Sequence, residues 1–161
     1  MKRFLKIVSG GQTGADRGGI AAAFKLGTPY GGFVPKGRRA EDGEVPACFT
    51  ELVELLVRGY PPRTRENVRL GDATVIFGRM PLSGGCKLTL RFCREEGRPV
   101  RVLDPDLVAI GHTGGMLDVI ELLIERHDVR TLNVAGHRES VCLGLELGVE
   151  RLITKLLERR L

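Results

Sequence analysis

Ser9-Gly10-Gly11-Gln12-Thr13-Gly14-Ala15-Asp16-Arg17 is the stretch of sequence that decides the fold. It follows an apolar run, Phe4–Ser9, which predicts a buried strand, and it leads into a helical pattern over Arg17–Leu26 that Gly27 ends. A strand, a glycine-rich turn and a helix in this order are typical of proteins in which strands and helices alternate.

The rest of the chain repeats this alternation. Further strands are predicted at Tyr30–Val34, Asp72–Phe77, Val100–Leu103 and Val129–Val134. Helices are predicted at Thr50–Leu56, Arg65–Arg69, Lys87–Glu96, Met116–Arg126 and Arg138–Leu161. The intervening loops are predicted at Pro35–Pro46, Gly78–Gly85 and Asp104–Thr113. This order predicts one α/β domain over residues 1–161, with a doubly wound, mostly parallel sheet flanked by helices.

Glycine makes up 22 of the 161 residues, about twice the usual share of ~7%. Ten of these glycines form the doublets Gly10-Gly11, Gly18-Gly19, Gly31-Gly32, Gly84-Gly85 and Gly114-Gly115. Such spacing excludes collagen, and a hydrophobic share of 42% excludes a flexible linker protein. The glycines therefore serve loops between packed elements, except Gly18-Gly19, which lies inside the first predicted helix and indicates close packing.

The positive charge is concentrated at the start of the chain. Residues 1–40 hold eight basic residues against Asp16 alone, a formal charge of +7 in a chain whose total is +5. This imbalance predicts an anionic ligand. Because aromatic residues are only 5% of the chain and tryptophan is absent, stacking surfaces for nucleic acid are scarce, and a small phosphorylated ligand is favoured.

The four cysteines, Cys48, Cys86, Cys93 and Cys142, form no C-x-x-C pair, so we expect reduced thiols and no structural metal. The longest apolar stretches, such as Val119–Ile124, are short and flanked by acids, and the first residues lack the apolar core of a signal peptide. We therefore expect a cytoplasmic protein without a membrane partner.

The loop from Gly10 to Asp16 is the first candidate binding segment. A glycine-rich turn at a helix start exposes backbone N–H groups, and the helix dipole adds positive potential there. The loop is neither a Walker A loop nor a G-x-G-x-x-G motif. A purely structural interpretation, in which Thr13 is the N-cap and Asp16 its capping-box partner, stays open beside the anion site.

Three more segments follow predicted strands. Lys36, Arg38 and Arg39 lie in Pro35–Pro46 and either bind an oxyanion or form a solvated loop with Glu41 and Asp42. Ser83, Gly84, Gly85 and Thr89 surround the start of a helix. Residues 133–140, with Gly136 among them, lie at the exit of the last strand, where Asn133, Arg138 and Ser140 either bind a ligand or cap the terminal helix. Ligands bind at the carboxyl ends of parallel strands, so we expect one composite site.

These same segments carry a resemblance to a known family. Residues 9–17 and 35–43, Arg63-Thr64, Asn67-Val68, residues 82–89 and residues 133–138 resemble, in order, the molybdenum cofactor carrier protein family of the SLOG superfamily. That superfamily is Rossmann-like and is related to the LOG, or lysine-decarboxylase-like, proteins. The resemblance implies a Rossmann-like fold, a homodimer or homotetramer, and a phosphate-binding loop at Gly10–Asp16.

The chain departs from its LOG relatives near the third segment. Those phosphoribohydrolases use Pro-Gly-Gly-x-Gly-Thr-x-x-Glu, whereas Ser83–Thr89 lacks the final Gly-Thr and the catalytic Glu. In addition, His137 stands where relatives often carry Pro, and Cys86 where many carry a small residue. Cys86 is either a core thiol or a group that approaches a metal.

The resulting hypothesis is a non-catalytic carrier of a phosphate-bearing cofactor, namely molybdenum cofactor (molybdopterin) or a nucleotide, with molybdoenzymes as acceptors. The alternatives are an enzyme that acts on a nucleotide or nucleotide-derived sugar, with Asp16, Glu41 or Asp42 as acid or base, and a nucleotide sensor. The predicted ligand-binding residues are Gly10, Gly11, Gln12, Thr13, Gly14, Asp16, Arg17, Lys36, Gly37, Arg38, Ser83, Gly84, Gly85, Thr89, Asn133, Gly136 and Arg138.

Overall fold

A computed structural model of the chain describes residues 4–161; Lys2 and Arg3, which contribute to the positive charge of the first forty residues, lie outside it. The strands are β1 (Lys6–Val8), β2 (Tyr30–Val34), β3 (Arg39–Ala40), β4 (Gly43–Glu44), β5 (Leu52–Glu54), β6 (Ala73–Phe77), β7 (Val100–Leu103) and β8 (Thr131–Gly136). The helices are α1 (Ala15–Leu26), α2 (Tyr60–Leu70), α3 (Gly84–Glu95), α4 (Pro105–Ala109), α5 (Met116–His127) and α6 (Leu145–Glu158). Among these residues, no helix has the length and apolar character needed to span a membrane.

Six strands form one parallel sheet in the order β5-β2-β1-β8-β6-β7, which confirms the predicted Rossmann-like α/β fold. The remaining two, β3 and β4, form a short antiparallel hairpin. From β1 the chain moves outward to β2 and β5, and from β6 it moves outward to β7. The last strand, β8, returns between β1 and β6, so the carboxyl ends of β1, β8 and β6 are neighbours.

The two faces of the sheet carry different helices. Ile7, Phe77 and Val134 contribute to the main core, in which α1 packs closely on α6. The alternate residues of the same strands include Thr74 and Asn133, which point to the other face. There α2 and α3 pack on each other around a smaller core that contains Val68, Phe92 and Cys93.

The helix predicted over Thr50–Leu56 is wrong. Leu52–Glu54 is instead the edge strand β5, in which Leu52 is buried and pairs with Gly32 of β2. The helix propensity of leucine and glutamate is only a few tenths of a kcal/mol per residue, so pairing with the sheet edge overrides it.

The terminal helix is shorter than predicted, because it begins at Leu145 and not at Arg138. The Glu139 carboxylate accepts hydrogen bonds from the backbone N–H groups of Gly144 and Glu146, which holds residues 137–144 as a loop that caps the helix. The loop predicted over Asp104–Thr113 contains the short helix α4, which Asp104 caps through the N–H groups of Asp106 and Leu107.

Candidate functional site

A cavity of about 500 Å³ lies on the α2 and α3 side of the sheet, at the carboxyl ends of β1, β8 and β6. This volume is within the range of small-ligand sites. Its walls come from the exit of β1, the start of α2, the start of α3 and the exit of β8. The residues that line it include Gly10, Gln12, Asp16, Tyr60, Arg63, Asn67, Ser83, Gly84, Gly85, Cys86, Thr89, Asn133, Gly136, His137 and Arg138.

Asp16 is buried in this wall and pairs with Arg63 of α2. The Arg63 Nη1 atom lies 3.0 Å from Asp16 Oδ2, and the two side chains are only 12% and 6% exposed. Burial raises the pKa of the Asp16 carboxyl, while the charge of Arg63 opposes that rise. A buried carboxylate with a displaced pKa in a cleft is a mark of functional sites.

Gly10 makes this ion pair possible. A Cβ atom at position 10 would lie 1.9 Å from Arg63 Nη1, so only glycine lets the guanidinium pass over the backbone to reach Asp16. The Arg63 Nε atom is also buried and, among residues 4–161, has no hydrogen-bond partner.

Tyr60 stands between two arginines at the cavity. The guanidinium carbons of Arg63 and Arg138 lie 5.3 and 5.4 Å from the centre of its ring, which is cation–π geometry. Arg138 is exposed. Asp16 pairs with Arg63, so the exposed Arg138 supplies the positive charge at this wall that favours an anionic ligand.

The start of α3 supplies backbone donors to another part of the lining. Ser83 is its N-cap residue and makes no side-chain capping bond, and the first described backbone bond of the helix runs from Lys87 N–H to the Ser83 carbonyl. Within residues 4–161, the N–H groups of Gly84, Gly85 and Cys86 have no described acceptor. A Cβ atom at Gly84 or Gly85 would meet nothing within 4 Å, so this helix start opens onto free space. Such a helix start attracts anions.

The start of α1 differs, because the chain's own groups already accept most of its N–H bonds. Gly11 donates to Ser9 Oγ, Thr13 donates to Gln12 Oε1, and Gly14 donates to Glu146 Oε1. The helix begins after Gly14 without a side-chain cap, so the predicted Thr13 N-cap with an Asp16 capping box is wrong. The Gly10–Asp16 loop contributes side chains to the cavity more than free backbone donors.

Arg17 and residues of the β3–β4 turn hold the Gly10–Asp16 loop in place through side-chain contacts. The Arg17 guanidinium pairs with Asp42 at 2.5 Å and donates to the Gly11 carbonyl at 3.3 Å. Glu41 accepts hydrogen bonds from the Thr13 hydroxyl and from Ser140. Its limited burial raises the pKa of the Glu41 carboxyl, but these hydrogen bonds outweigh that effect and lower the pKa. We call this set of contacts, made by Arg17, Asp42, Glu41, Thr13 and Ser140, the hairpin clasp.

The structure keeps Lys36, Gly37 and Arg38 away from the cavity. The Arg38 side chain donates to the carbonyls of Val45, Pro46 and Phe49, so it closes its own loop. These residues follow β2, which lies on the far side of β1 from β8. Of the other predicted residues, Gly11, Thr13, Gly14 and Arg17 lie behind the cavity wall, while Gly10, Gln12, Asp16, Ser83, Gly84, Gly85, Thr89, Asn133, Gly136 and Arg138 line it.

Sequence reasoning missed Tyr60 and Arg63 as site residues. Arg63 carries the resemblance noted above, but nothing local shows that α2 brings it onto Asp16. Asn67, one turn further along α2, holds this helix in place, because its side chain accepts from Phe33 N–H at 2.8 Å and donates to the Phe33 carbonyl at 3.0 Å.

Cys86 and His137 contact each other at the cavity wall, with Sγ and Nδ1 3.6 Å apart. His137 Nε2 accepts the backbone N–H of Arg79 at 3.0 Å, and since a backbone amide only donates, the neutral ring carries its proton on Nδ1. Burial raises the pKa of the Cys86 thiol to about 11. Within residues 4–161 no group of three His, Cys, Asp or Glu side chains is placed to hold a metal ion.

Comparison with known proteins places the chain in a family. The model of the "Circularly permutated YpsA SLOG family" matches residues 7–157. A crystal structure from Syntrophus aciditrophicus SB, named "Putative molybdenum carrier protein", is similar to the chain, with a TM-score of 0.86 and 35% identity over 97% of this chain and 96% of that one. A search of curated proteins finds no significant match. The chain therefore belongs to the circularly permuted YpsA family of the SLOG superfamily.

Proposed function

We propose that the protein binds a phosphate-bearing anionic cofactor in the cavity and carries it without chemical change. The observation that supports this proposal is that the open start of α3 and the guanidinium groups of Arg63 and Arg138 line one cavity. Backbone N–H groups at a helix start bind phosphate, and arginine adds charge and paired donors. In this proposal Ser83, Gly84 and Gly85 hold the phosphate.

We propose molybdenum cofactor as the cargo. The support is the name of the similar Syntrophus protein, together with a cavity wall that has unpaired buried donors among the described residues. Arg63 Nε and Gln12 Nε2 are buried donors that a polar cargo can satisfy. As the family resemblance implies, the carrier is proposed to be a cytoplasmic homodimer or homotetramer that delivers cofactor to molybdoenzymes.

Co-purification tests this function. The protein is isolated from molybdenum-replete cells, and its ligand is identified by mass spectrometry and metal analysis. We expect a pterin phosphate with molybdenum in the wild type, and its loss in Arg138→Glu, which reverses a charge at the cavity. Lys36→Glu, which reverses an exposed charge outside the cavity, is the matched control and retains the ligand. A wild type that neither retains nor takes up a pterin phosphate contradicts the proposal.

A second candidate function is an enzyme that acts on a nucleotide. The observation that favours it is the buried Asp16 carboxyl, whose pKa burial raises and which is therefore suited to proton transfer. Incubation with a panel of nucleoside monophosphates separates the two functions. Product formation rules out a pure carrier, and saturable binding without product rules out the enzyme.

A further inference from the structure

Gln12 and Asp16 present two unused polar atoms at the same wall of the cavity. Both residues line it, and both are only 5% exposed. Gln12 N–H donates to Asp16 Oδ2 at 3.4 Å, so the two residues are adjacent. Their remaining polar atoms define what a ligand must offer at this end of the cavity.

The unused atom of Gln12 is a donor. Gln12 Oε1 accepts two backbone N–H groups, from Thr13 at 3.1 Å and from Glu41 at 2.8 Å. Rotating the amide by half a turn would place its NH₂ group against these two donors, so the orientation is determined. The Nε2 atom is buried and has no hydrogen-bond partner among residues 4–161. Buried polar groups in folded proteins almost always have a hydrogen-bond partner, so an unpaired amide beside a cavity marks a place for an acceptor on the ligand.

The unused atom of Asp16 is an acceptor. The described hydrogen bonds to its carboxylate, from Arg63 Nη1 and from Gln12 N–H, both end on Oδ2. Within residues 4–161 the other oxygen, Oδ1, accepts no described bond. Arg63 pairs with this carboxyl group through Oδ2, which leaves Oδ1 to accept from a ligand N–H.

We propose that Asp16 Oδ1 and Gln12 Nε2 together recognise a nitrogen heterocycle that presents a hydrogen-bond donor beside an acceptor on one edge. The N–H and C=O of the lactam in a pterin or guanine have this pattern. The proposal rests on the proposed function in placing the phosphate at Ser83–Gly85, and it adds that the opposite end of the ligand is a heterocycle and not a sugar. Asp16 and Gln12 thereby determine specificity.

Calorimetry with three probes tests the proposal. Guanosine 5′-monophosphate carries phosphate and heterocycle, ribose 5-phosphate carries only the phosphate end, and 6-hydroxymethylpterin carries only the heterocycle. The variants are Gln12→Glu, which replaces the unused donor but keeps an oxygen for Thr13 and Glu41, and Asp16→Asn. The matched control is Asp106→Asn, which alters an aspartate paired with an arginine outside the cavity.

We expect Gln12→Glu and Asp16→Asn to weaken the binding of guanosine monophosphate and of the pterin about tenfold or more, because each leaves a polar group unpaired. Gln12→Glu also adds a negative charge beside Asp16, so ribose 5-phosphate binding falls as well, but by less than guanosine monophosphate binding does. Asp106→Asn changes nothing. If Asp16→Asn fails to fold, as judged by circular dichroism, Gln12→Glu carries the test, since it leaves the ion pair of Asp16 with Arg63 in place.

The outcomes separate this proposal from the one it rests on. If the wild type binds the pterin in a manner sensitive to both variants but binds no phosphate compound, the heterocycle site stands and the phosphate carrier fails. Equal losses for ribose 5-phosphate and guanosine monophosphate overturn the heterocycle site. Unchanged binding of guanosine monophosphate and pterin in both variants overturns it as well.

Discussion

His137 shows how one residue can be held in a single tautomer of its neutral ring. Burial and the nearby Arg79 lower its pKa below the ordinary 6.5, and the Arg79 N–H occupies Nε2. The folded chain therefore binds this proton more weakly than the unfolded chain does. We therefore expect the free energy of unfolding to fall as the pH decreases from 6.5 through the folded-state pKa. Above pH 6.5 the ring is neutral in both states, so His137 causes no pH dependence there.

Urea unfolding measured between about pH 5 and 8 checks this expectation. His137→Gln can still accept the Arg79 N–H and has no titrating group, so it loses this part of the pH dependence. Nitrogen NMR of the wild type at neutral pH should show the proton on Nδ1, with the exposed His112 and His127 as references in the same spectrum. A proton on Nε2 contradicts the assignment.

At the scale of elements, the contact between α1 and α6 depends on Gly18. A Cβ atom there would lie 2.4 Å from the Glu146 carbonyl oxygen, which belongs to the backbone of α6 and cannot rotate away. The close packing predicted for the doublet Gly18-Gly19 is thus confirmed. We expect Gly18→Ala to lower the free energy of unfolding by about 1–3 kcal/mol, because the helices must move apart.

Gly85→Ala is the matched control for this contact. Gly85 is also helical, yet a Cβ atom there meets nothing within 4 Å, so we expect a change of about 1 kcal/mol or less. Urea denaturation of both variants measures the difference. Equal stability of Gly18→Ala and the wild type would show that α1 and α6 tolerate the added methyl group.

At the scale of the whole molecule, the hairpin clasp joins parts of the chain that are far apart in sequence. Arg17 comes from α1, Glu41 and Asp42 from the β3–β4 turn, and Ser140 from the loop after β8. The Arg17 side chain is only 9% exposed. We expect Arg17→Ala to destabilise the fold by about 1.5–3 kcal/mol, through the loss of hydrogen bonds between charged groups.

Hydrogen exchange locates the effect. In Arg17→Ala, amides of residues 39–44 and 137–141 should exchange faster, while those of β6 and β7 keep their protection. Lys25 lies on the same helix as Arg17, and Lys25→Ala removes its pair with Glu150 of α6. This variant is the control and should leave the hairpin unchanged. Uniformly faster exchange over the whole sheet would contradict a local clasp.

The candidate site could be predicted where its residues lie in a strand or in the loop and helix start that come after it. Asn133 of β8, Asp16 after β1 and Ser83 after β6 line the cavity because parallel strands end at one edge of the sheet. Lys36 also follows a strand and belongs to the basic first quarter of the chain, but β2 leads it away from the cavity. Charge along the sequence therefore indicates an anionic ligand without indicating which cations contact it.

The sequence by itself determined the alternation of strands and helices and the glycine-rich loop at residues 9–17, because hydrophobic periodicity and backbone freedom are local properties. The weak segment at Leu52–Glu54 shows the limit of that reasoning, since sheet pairing outweighs local propensity there. Only the tertiary structure decided that β8 lies between β1 and β6 and that Arg63 crosses Gly10 to meet Asp16. Strand order and a buried ion pair depend on contacts between residues that are far apart in the sequence, and local sequence patterns do not show those contacts.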